Sequence, residues 1–349
     1  MYYYNKTYRK DLEVIIKDND ISELKNCNIL ITGASGMIGS VIVDTLLLGN
    51  ELNNLNITVF ALGRNKKTLI NRFSSHLNNP NFKIISHDVN YPLPYVTTFD
   101  YIIHAASNSY PKAFSSDPVG TIMTNVNGVN NLLEYGLKNN LKKFLFISSG
   151  EVYGQGEAKH VSFDENYSGY IDSTNPRACY PNGKRAAETL CVAYLDTYGL
   201  NTVIARPCHT YGATATSKDN RAASQFINKI MQDQNIIMKS DGLQLRSYCY
   251  VSDCVSGLFT ILLKGEVGEA YNIANKKSNV TIREIAQTLA STNNKEIIFE
   301  NPCDKEKNSF NPVSQSVLNA KKLELLNWKA RYDITSGLKR TILILKDKK

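Results

Sequence analysis

Short, nearly unbroken apolar runs alternate along the chain with longer stretches whose apolar residues recur every three or four positions. The runs are Asn28–Thr32, Ile57–Leu62, Phe82–Ile85, Asp100–His104, Phe144–Ser148 and Thr202–Ala205. Runs of this length between turn residues predict strands buried on both faces. Between them, Val41, Ile42, Leu46 and Leu47 keep helical spacing, as do Ile122, Val126, Val129, Leu132 and Leu133 within residues 118–138. A third helix opens at Tyr180, carries Ala186, Leu190, Ala193, Tyr194 and Tyr198, and stops at Gly199. The alternation predicts an α/β fold with a doubly wound parallel sheet. It fades after residue 206. There the pattern gives helices at 222–231, 255–263 and 281–289, the last with a Thr281–Glu284 capping box, and strands at 248–251 and 270–273. The expected division is an N-terminal extension over 1–25, a nucleotide-binding unit over 26–205, and a smaller α/β unit over 206–349 that closes as a lid, some of its segments returning to the sheet. In the extension, Leu12, Ile15 and Ile16 predict a short helix packed on the outside, with Ile21 and Leu24 beyond a polar break.

Chemistry concentrates where the predicted strands end. Gly33, Gly36 and Gly39 stand three apart between the first strand and the first helix. This strand–turn–helix context is what a dinucleotide site requires: a tight turn, close backbone approach to a pyrophosphate, and free N–H groups at a helix start. Ser35, Met37 and Ile38 fall within the same turn. Arg64 follows the second strand where an NAD site commonly has a carboxylate, which tilts the reading toward the 2′-phosphate of NADP. Asp88, next to Val89, is a candidate acceptor for an adenine amine, and the small residues Ala105, Ala106 and Ser107 permit close passage of a cofactor. His104 is expected to pack. A buried Asn125 needs partners, with main-chain groups near the fifth strand as candidates. That strand delivers Ser148, Ser149 and Glu151. Tyr180 and Lys184 share one helix face. A Lys ammonium beside a phenol favours the phenolate, making Tyr180 a candidate base and Ser149 a hydrogen-bond partner for the substrate oxygen.

Composition narrows the classes. The 349-residue chain carries a formal charge of +8, with Lys and Arg spread along its length, which points away from nucleic acid and toward an acidic small substrate or plain solubility. Seven cysteines with no Cys-x-x-Cys pair fit reduced thiols in a cytoplasm, and no metal-ligand pattern is present. No apolar run reaches membrane-spanning length, and residues 1–10 do not read as a secretory signal.

Taken in order, Gly33-x-x-Gly36-x-x-Gly39, Asp88, His104-Ala-Ala, Asn125, Ser148-Ser149, Tyr180-x-x-x-Lys184, Arg206-Pro and Arg246-Ser-Tyr-x-Tyr-Val-Ser-Asp253 resemble the extended short-chain dehydrogenase/reductase family. That family comprises nucleotide-sugar epimerases, dehydratases and decarboxylases, and the resemblance runs from about residue 27 to residue 343. It implies a Rossmann domain with tightly bound NAD or NADP, a C-terminal domain for an NDP-sugar, and a homodimer formed through the Asn125 and Tyr180 helices. Tyr180 would take the proton of the sugar 4-hydroxyl. Lys184 would hold the nicotinamide ribose, Ser149 the 4-oxygen, and Arg246 the diphosphate or a sugar substituent, while Asn125 would support the network. The segment Pro176–Cys191 and Glu151 look most like UDP-glucuronate decarboxylases, with Gly150 departing from their Ser. Glu151 would deprotonate C5 or C3 of a 4-keto sugar, or hydrogen-bond a hydroxyl. His209 stands where the family has an Asn that contacts the diphosphate. On these residues epimerisation ranks ahead of decarboxylation because of Gly150, and dehydration comes third. A binding protein that has lost catalysis is the alternative of another class.

Overall fold

Six strands follow one another much as the apolar runs predict: β1 (Asn28–Thr32), β2 (Thr58–Gly63), β3 (Phe82–Ser86), β4 (Tyr101–His104), β5 (Lys143–Ile147) and β6 (Thr202–Pro207). After β7 (His209–Tyr211), β8 (Ile236–Met238) and β9 (Leu245–Tyr250), the strand β10 (Ala270–Ile273) returns beside β6. This computed structural model describes residues 2–94, 97–156, 162–302 and 315–347. The seven strands are parallel in the order β3-β2-β1-β4-β5-β6-β10, which is the Rossmann order with one strand added. Strand order reverses between β1 and β4, so the crevice for a ligand lies outside their C-terminal ends.

The helices are α1 (Lys6–Asn19), α2 (Met37–Asn53), α3 (Lys66–Arg72), α4 (Pro111–Ser116), α5 (Pro118–Lys138), α6 (Cys179–Tyr198), α7 (Ala222–Met231), α8 (Val251–Lys264), α9 (Ile282–Thr292), α10 (Lys321–Glu324) and α11 (Ile334–Lys346). Because strand side chains alternate, each strand feeds two cores. Ile29, Ile31, Val59, Ile103 and Leu145 pack with α1, α2 and α8, whereas Leu30, Ile102, Phe144 and Phe146 pack with α5 and α6. The C-terminal segments build a second sheet in which β9 pairs with β7, β11 (Asn279–Thr281) and β13 (Gln315–Ser316). β8 pairs separately with β12 (Ile297–Phe299).

The N-terminal helix departs from expectation. It is longer than its apolar stripe suggested, and it is wedged between elements rather than laid on the outside: Tyr8, Asp11, Leu12, Ile15, Ile16 and Asn19 are all buried. The reason is polar. Asp11 and Asn19 flank the stripe and find partners on other elements, and Tyr8 donates a 2.7 Å hydrogen bond to the fully buried Asp44 of α2. Burial raises the Asp44 carboxyl, but Arg72, His76 and Tyr8 outweigh it and hold the group below its ordinary value. All six cysteines among the described residues are buried and unpaired. Among these residues, no helix is long and apolar enough to cross a membrane.

Candidate active site

The glycine turn forms a cradle that only glycine allows. Gly33 has φ +63°, and a Cβ there would lie 2.7 Å from the Ala105 carbonyl oxygen and 2.8 Å from Ala106 Cα. A Cβ on Gly39 would stand 2.5 Å from the Gly33 oxygen. The ends of β1 and β4 therefore approach within backbone contact, and α2 starts immediately, with no side chain capping its N–H groups. A cavity of about 360 Å³ opens there. It is lined by Gly33, Ser35, Gly36, Met37, Ile38, Gly39, Arg64, Asp88, Val89, Ala105, Ala106, Ser107, Ser149, Glu151, Tyr180, Lys184 and His209. Glycine backbone at a helix start, small residues opposite and a carboxylate farther along fit a dinucleotide. Arg64 is exposed at the end of β2, and Asp88 accepts a 3.0 Å hydrogen bond from the Asn90 N–H. Asn125 is not in the lining. Its amide donates to the Thr121 carbonyl at 2.8 Å and accepts from the Ser107 hydroxyl at 3.0 Å, so its partners are its own helix and the cavity wall rather than the fifth strand.

Tyr180 and Lys184 share the inner face of α6. Lys184 is 2% exposed; its Nζ donates to the Ile147 carbonyl at 2.8 Å and lies 4.6 Å from the centre of the Phe146 ring. Burial lowers its ammonium to about 7, with Glu188 opposing the shift. Tyr180 stacks on Phe114 with ring centres 4.6 Å apart. Its phenol is raised, not lowered: burial dominates, Glu151 adds to it, and a hydrogen bond with Ser149 opposes it. The simple expectation that Lys184 favours the phenolate is thus corrected in this geometry. The Lys nitrogen is engaged with main chain, 5.9 Å from the phenol ring centre, and burial is the largest influence on the phenol.

Beneath this pair runs a buried polar chain. Ser148 Oγ donates to Glu188 at 2.5 Å, and Arg206 grips Glu188 through two bonds of 3.0 and 2.7 Å. Arg206 also donates to Tyr153, whose hydroxyl donates to Asn272 at 2.6 Å. His104 is fully buried, with Nδ1 2.7 Å from the Thr32 hydroxyl and its ring stacked on Phe144 and Phe146. Burial lowers it to about 3, so it is neutral and packs as expected.

A second cavity of about 660 Å³ adjoins the first, and Glu151, His209 and Arg221 line both. Arg246 and Arg177 belong to the second alone. Arg246 is 3% exposed and donates to the Leu245 carbonyl at 3.0 Å. Burial raises the Glu151 carboxyl, while Arg177, Arg246 and Arg221 pull it down. His209 is held neutral, lowered to about 3 by burial and then by Arg246 and Arg221. Two of these arginines were not singled out from the sequence. Arg221 sits in a polar loop, paired with Asp219 at 2.6 Å, where nothing in the pattern marks it. Arg177 lies three residues before Tyr180, and its guanidinium packs 5.6 Å from the Phe114 ring centre.

The model of the NAD dependent epimerase/dehydratase family matches residues 29–274. The chain belongs to this family. Among curated relatives, a UDP-glucuronic acid decarboxylase 1 of Danio rerio is 35% identical over 273 residues, which is 78% of this chain and 62% of that one. The chain thus spans less than two thirds of that relative's length. A UDP-glucuronic acid decarboxylase 1 of Arabidopsis thaliana is 34% identical over 320 residues, covering 91% of this chain and 69% of that one. A solved UDP-glucuronic acid 4-epimerase from Bacillus cereus, in complex with UDP-glucuronic acid and NAD, superposes with a TM-score of 0.75 at 23% identity, covering 92% of this chain and 100% of that one. This last likeness establishes a shared fold.

The buried Lys184 leaves a measurable trace on stability. Its folded value near 7 lies below the unfolded value of about 10.4, so folding expels a proton between those limits and the native protein gains stability as pH rises through that window. Lys184→Met has no such group. Its melting temperature relative to the native protein should be highest at pH 6 and decline steadily toward pH 9, as thermal scans across that range would show. A flat difference would mean that Lys184 keeps an ordinary affinity for its proton.

Proposed function

We propose that this family member decarboxylates a nucleoside-diphosphate uronic acid through transient oxidation at C4. The observation that carries the reading is the set of three guanidinium groups, Arg177, Arg221 and Arg246, acting on Glu151 where the two cavities meet beside Tyr180. Arg221 pairs with Asp219 at 2.6 Å, and the carboxylate of a uronate has the charge and the two-oxygen shape to join Glu151 among these guanidinium groups. The identities of 32–35% to UDP-glucuronic acid decarboxylases support the same substrate class.

Gly33, Gly36, Gly39 and the start of α2 would hold the pyrophosphate of the cofactor, with Asp88 at its adenine and Lys184 at its ribose. Bound NAD supplies reversible oxidation of the sugar at C4. Tyr180, hydrogen-bonded with Ser149, is the group to exchange a proton with the 4-oxygen. A 4-keto uronate is a β-keto acid, so breaking its C5–C6 bond releases carbon dioxide and leaves the electron pair as an enolate over C4 and C5. Glu151, pushed toward its protonated form by burial, is the group to return a proton to C5. Gly150, which placed epimerisation first on sequence, lies close to Leu318: a Cβ there would stand 3.0 Å from the Leu318 side chain, which would have to give by a few tenths of an ångström.

Incubation of the purified protein with UDP-glucuronate and NAD, followed by mass spectrometry, should yield a product lighter by carbon dioxide. Tyr180→Phe should reduce turnover by about 10²–10⁴-fold. An isomer of unchanged mass would return the assignment to epimerisation, and unaltered activity in Tyr180→Phe would remove Tyr180 from the chemistry. The family is NAD-dependent; Arg64 supports the further reading that NADP is accepted. Titrations of both cofactors should then show Arg64→Ala losing NADP affinity and keeping NAD affinity, and equal behaviour with both would make Arg64 a solvated loop residue. Pairing of two copies is supported by the outward faces of α5 and α6, where Val119, Met123, Val192 and Tyr198 are 70%, 43%, 44% and 57% exposed. Light scattering at micromolar concentration should give twice the chain mass, and a monomer would refute the pairing.

A further inference from the structure

We infer that the N-terminal helix α1 is a strut between the Rossmann sheet and β9, with Asp11 the positioning residue that sets Arg246 and Tyr248 at the wall of the larger cavity. The inference rests on the reading of that cavity as the nucleotide-sugar site. Helix α1 precedes the segment matched by the family model, which begins at residue 29. It is tied at both sides by side chains. Toward the Rossmann half, Tyr8 donates to Asp44 at 2.7 Å and Arg9 to Glu51 at 2.6 Å. Toward the C-terminal elements, Asp11 accepts from the Tyr250 hydroxyl at 2.8 Å and from Arg340 Nε at 2.8 Å. Asn19 ties α1 to α8, which packs on the Rossmann sheet, donating to Ser256 at 3.0 Å and accepting from Thr260 at 2.7 Å.

Tyr250 ends β9, and the two-residue period of a strand puts Arg246, Tyr248 and Tyr250 on one face. Arg246 and Tyr248 line the larger cavity. A file of rings joins the strut to that wall. Tyr250 lies 5.8 Å from Tyr211, Tyr211 6.4 Å from Tyr248, and Tyr248 5.5 Å from His209. The register of β7 on β9 fixes the file, with His209 opposite Tyr248 and Tyr211 opposite Tyr250. Four residues of strand span about 13 Å, so a small tilt at Tyr250 moves the Arg246 guanidinium by a distance that matters to a charged ligand. Asp11 is 2% exposed, and a buried carboxylate with all its partners in place admits few alternative geometries.

The test uses the full chain with its cofactor. Tyr250→Phe keeps the ring file and removes one hydroxyl, while Tyr8→Phe cuts the strut at its far end, away from β9. Both should raise the KM for UDP-glucuronate and weaken UDP binding about five- to tenfold, with kcat within about twofold. Both should speed amide hydrogen exchange over Leu245–Tyr250 in the absence of any nucleotide sugar. If either variant loses thermal stability while β9 exchange and UDP affinity stay at the native level, α1 is a brace for α2 or α11 and the inference is overturned. A native protein that binds UDP but does not turn over UDP-glucuronate would refute the proposed reaction alone. The exchange and UDP measurements would still decide the strut.

Discussion

An ammonium group almost out of reach of water organises the centre of this molecule. Lys184 is buried by the end of β5, the face of α6 and the Phe146 ring, and the Ile147 carbonyl accepts its hydrogen bond. Such a group is tolerable only where neighbouring atoms are held still. The chain of Ser148, Glu188, Arg206, Tyr153 and Asn272 provides that rigidity, joining β5, α6, β6 and β10 through buried and part-buried hydrogen bonds. Glu188, one turn beyond Lys184, also offsets its charge. The hydroxyl and carboxyl groups that face the cavity, Ser149 and Glu151, hang from the same strand end. Their placement therefore depends on how firmly the ammonium is housed.

What the chain discloses unaided follows from period and contact range. The helices Pro118–Lys138 and Ala222–Met231 and the stop at Gly199 are where spacing and end signals put them, because a 3.6-residue repeat with a proper terminus leaves little freedom. The glycine turn is equally legible, since its reason is a backbone approach that any side chain would block. Arg221 and Arg177 were not legible. Their importance comes from meeting Glu151 across elements distant in sequence, and no local pattern records such a meeting. The same holds for Tyr180. The Tyr–Lys spacing identifies the pair, but the direction in which the phenol shifts depends on how dry the finished site is.

The helix α1 shows a subtler failure. Leu12, Ile15 and Ile16 announce an apolar stripe, and on that basis a helix on the outside is the economical reading. Asp11 stands just before that stripe and Asn19 in the polar break after it. In the folded chain they are buried and satisfied by Tyr250, Arg340, Ser256 and Thr260, all more than 200 positions away. A polar residue beside an apolar stripe can thus mark a meeting point rather than an edge.

The path of the chain between β6 and β10 has a bearing on how the protein is made. These strands are adjacent and parallel, yet the segment from His209 to Glu269 lies between them, and it includes β9, α7 and α8. On a ribosome, β6 emerges with an unpaired edge and must wait for that whole excursion before β10 can cover it. An open edge of Val203, Ile204 and Ala205 is a template for pairing with another nascent chain. Slow elongation or crowded polysomes would therefore cost yield through aggregation of the growing chain, before any stability of the finished fold comes into play.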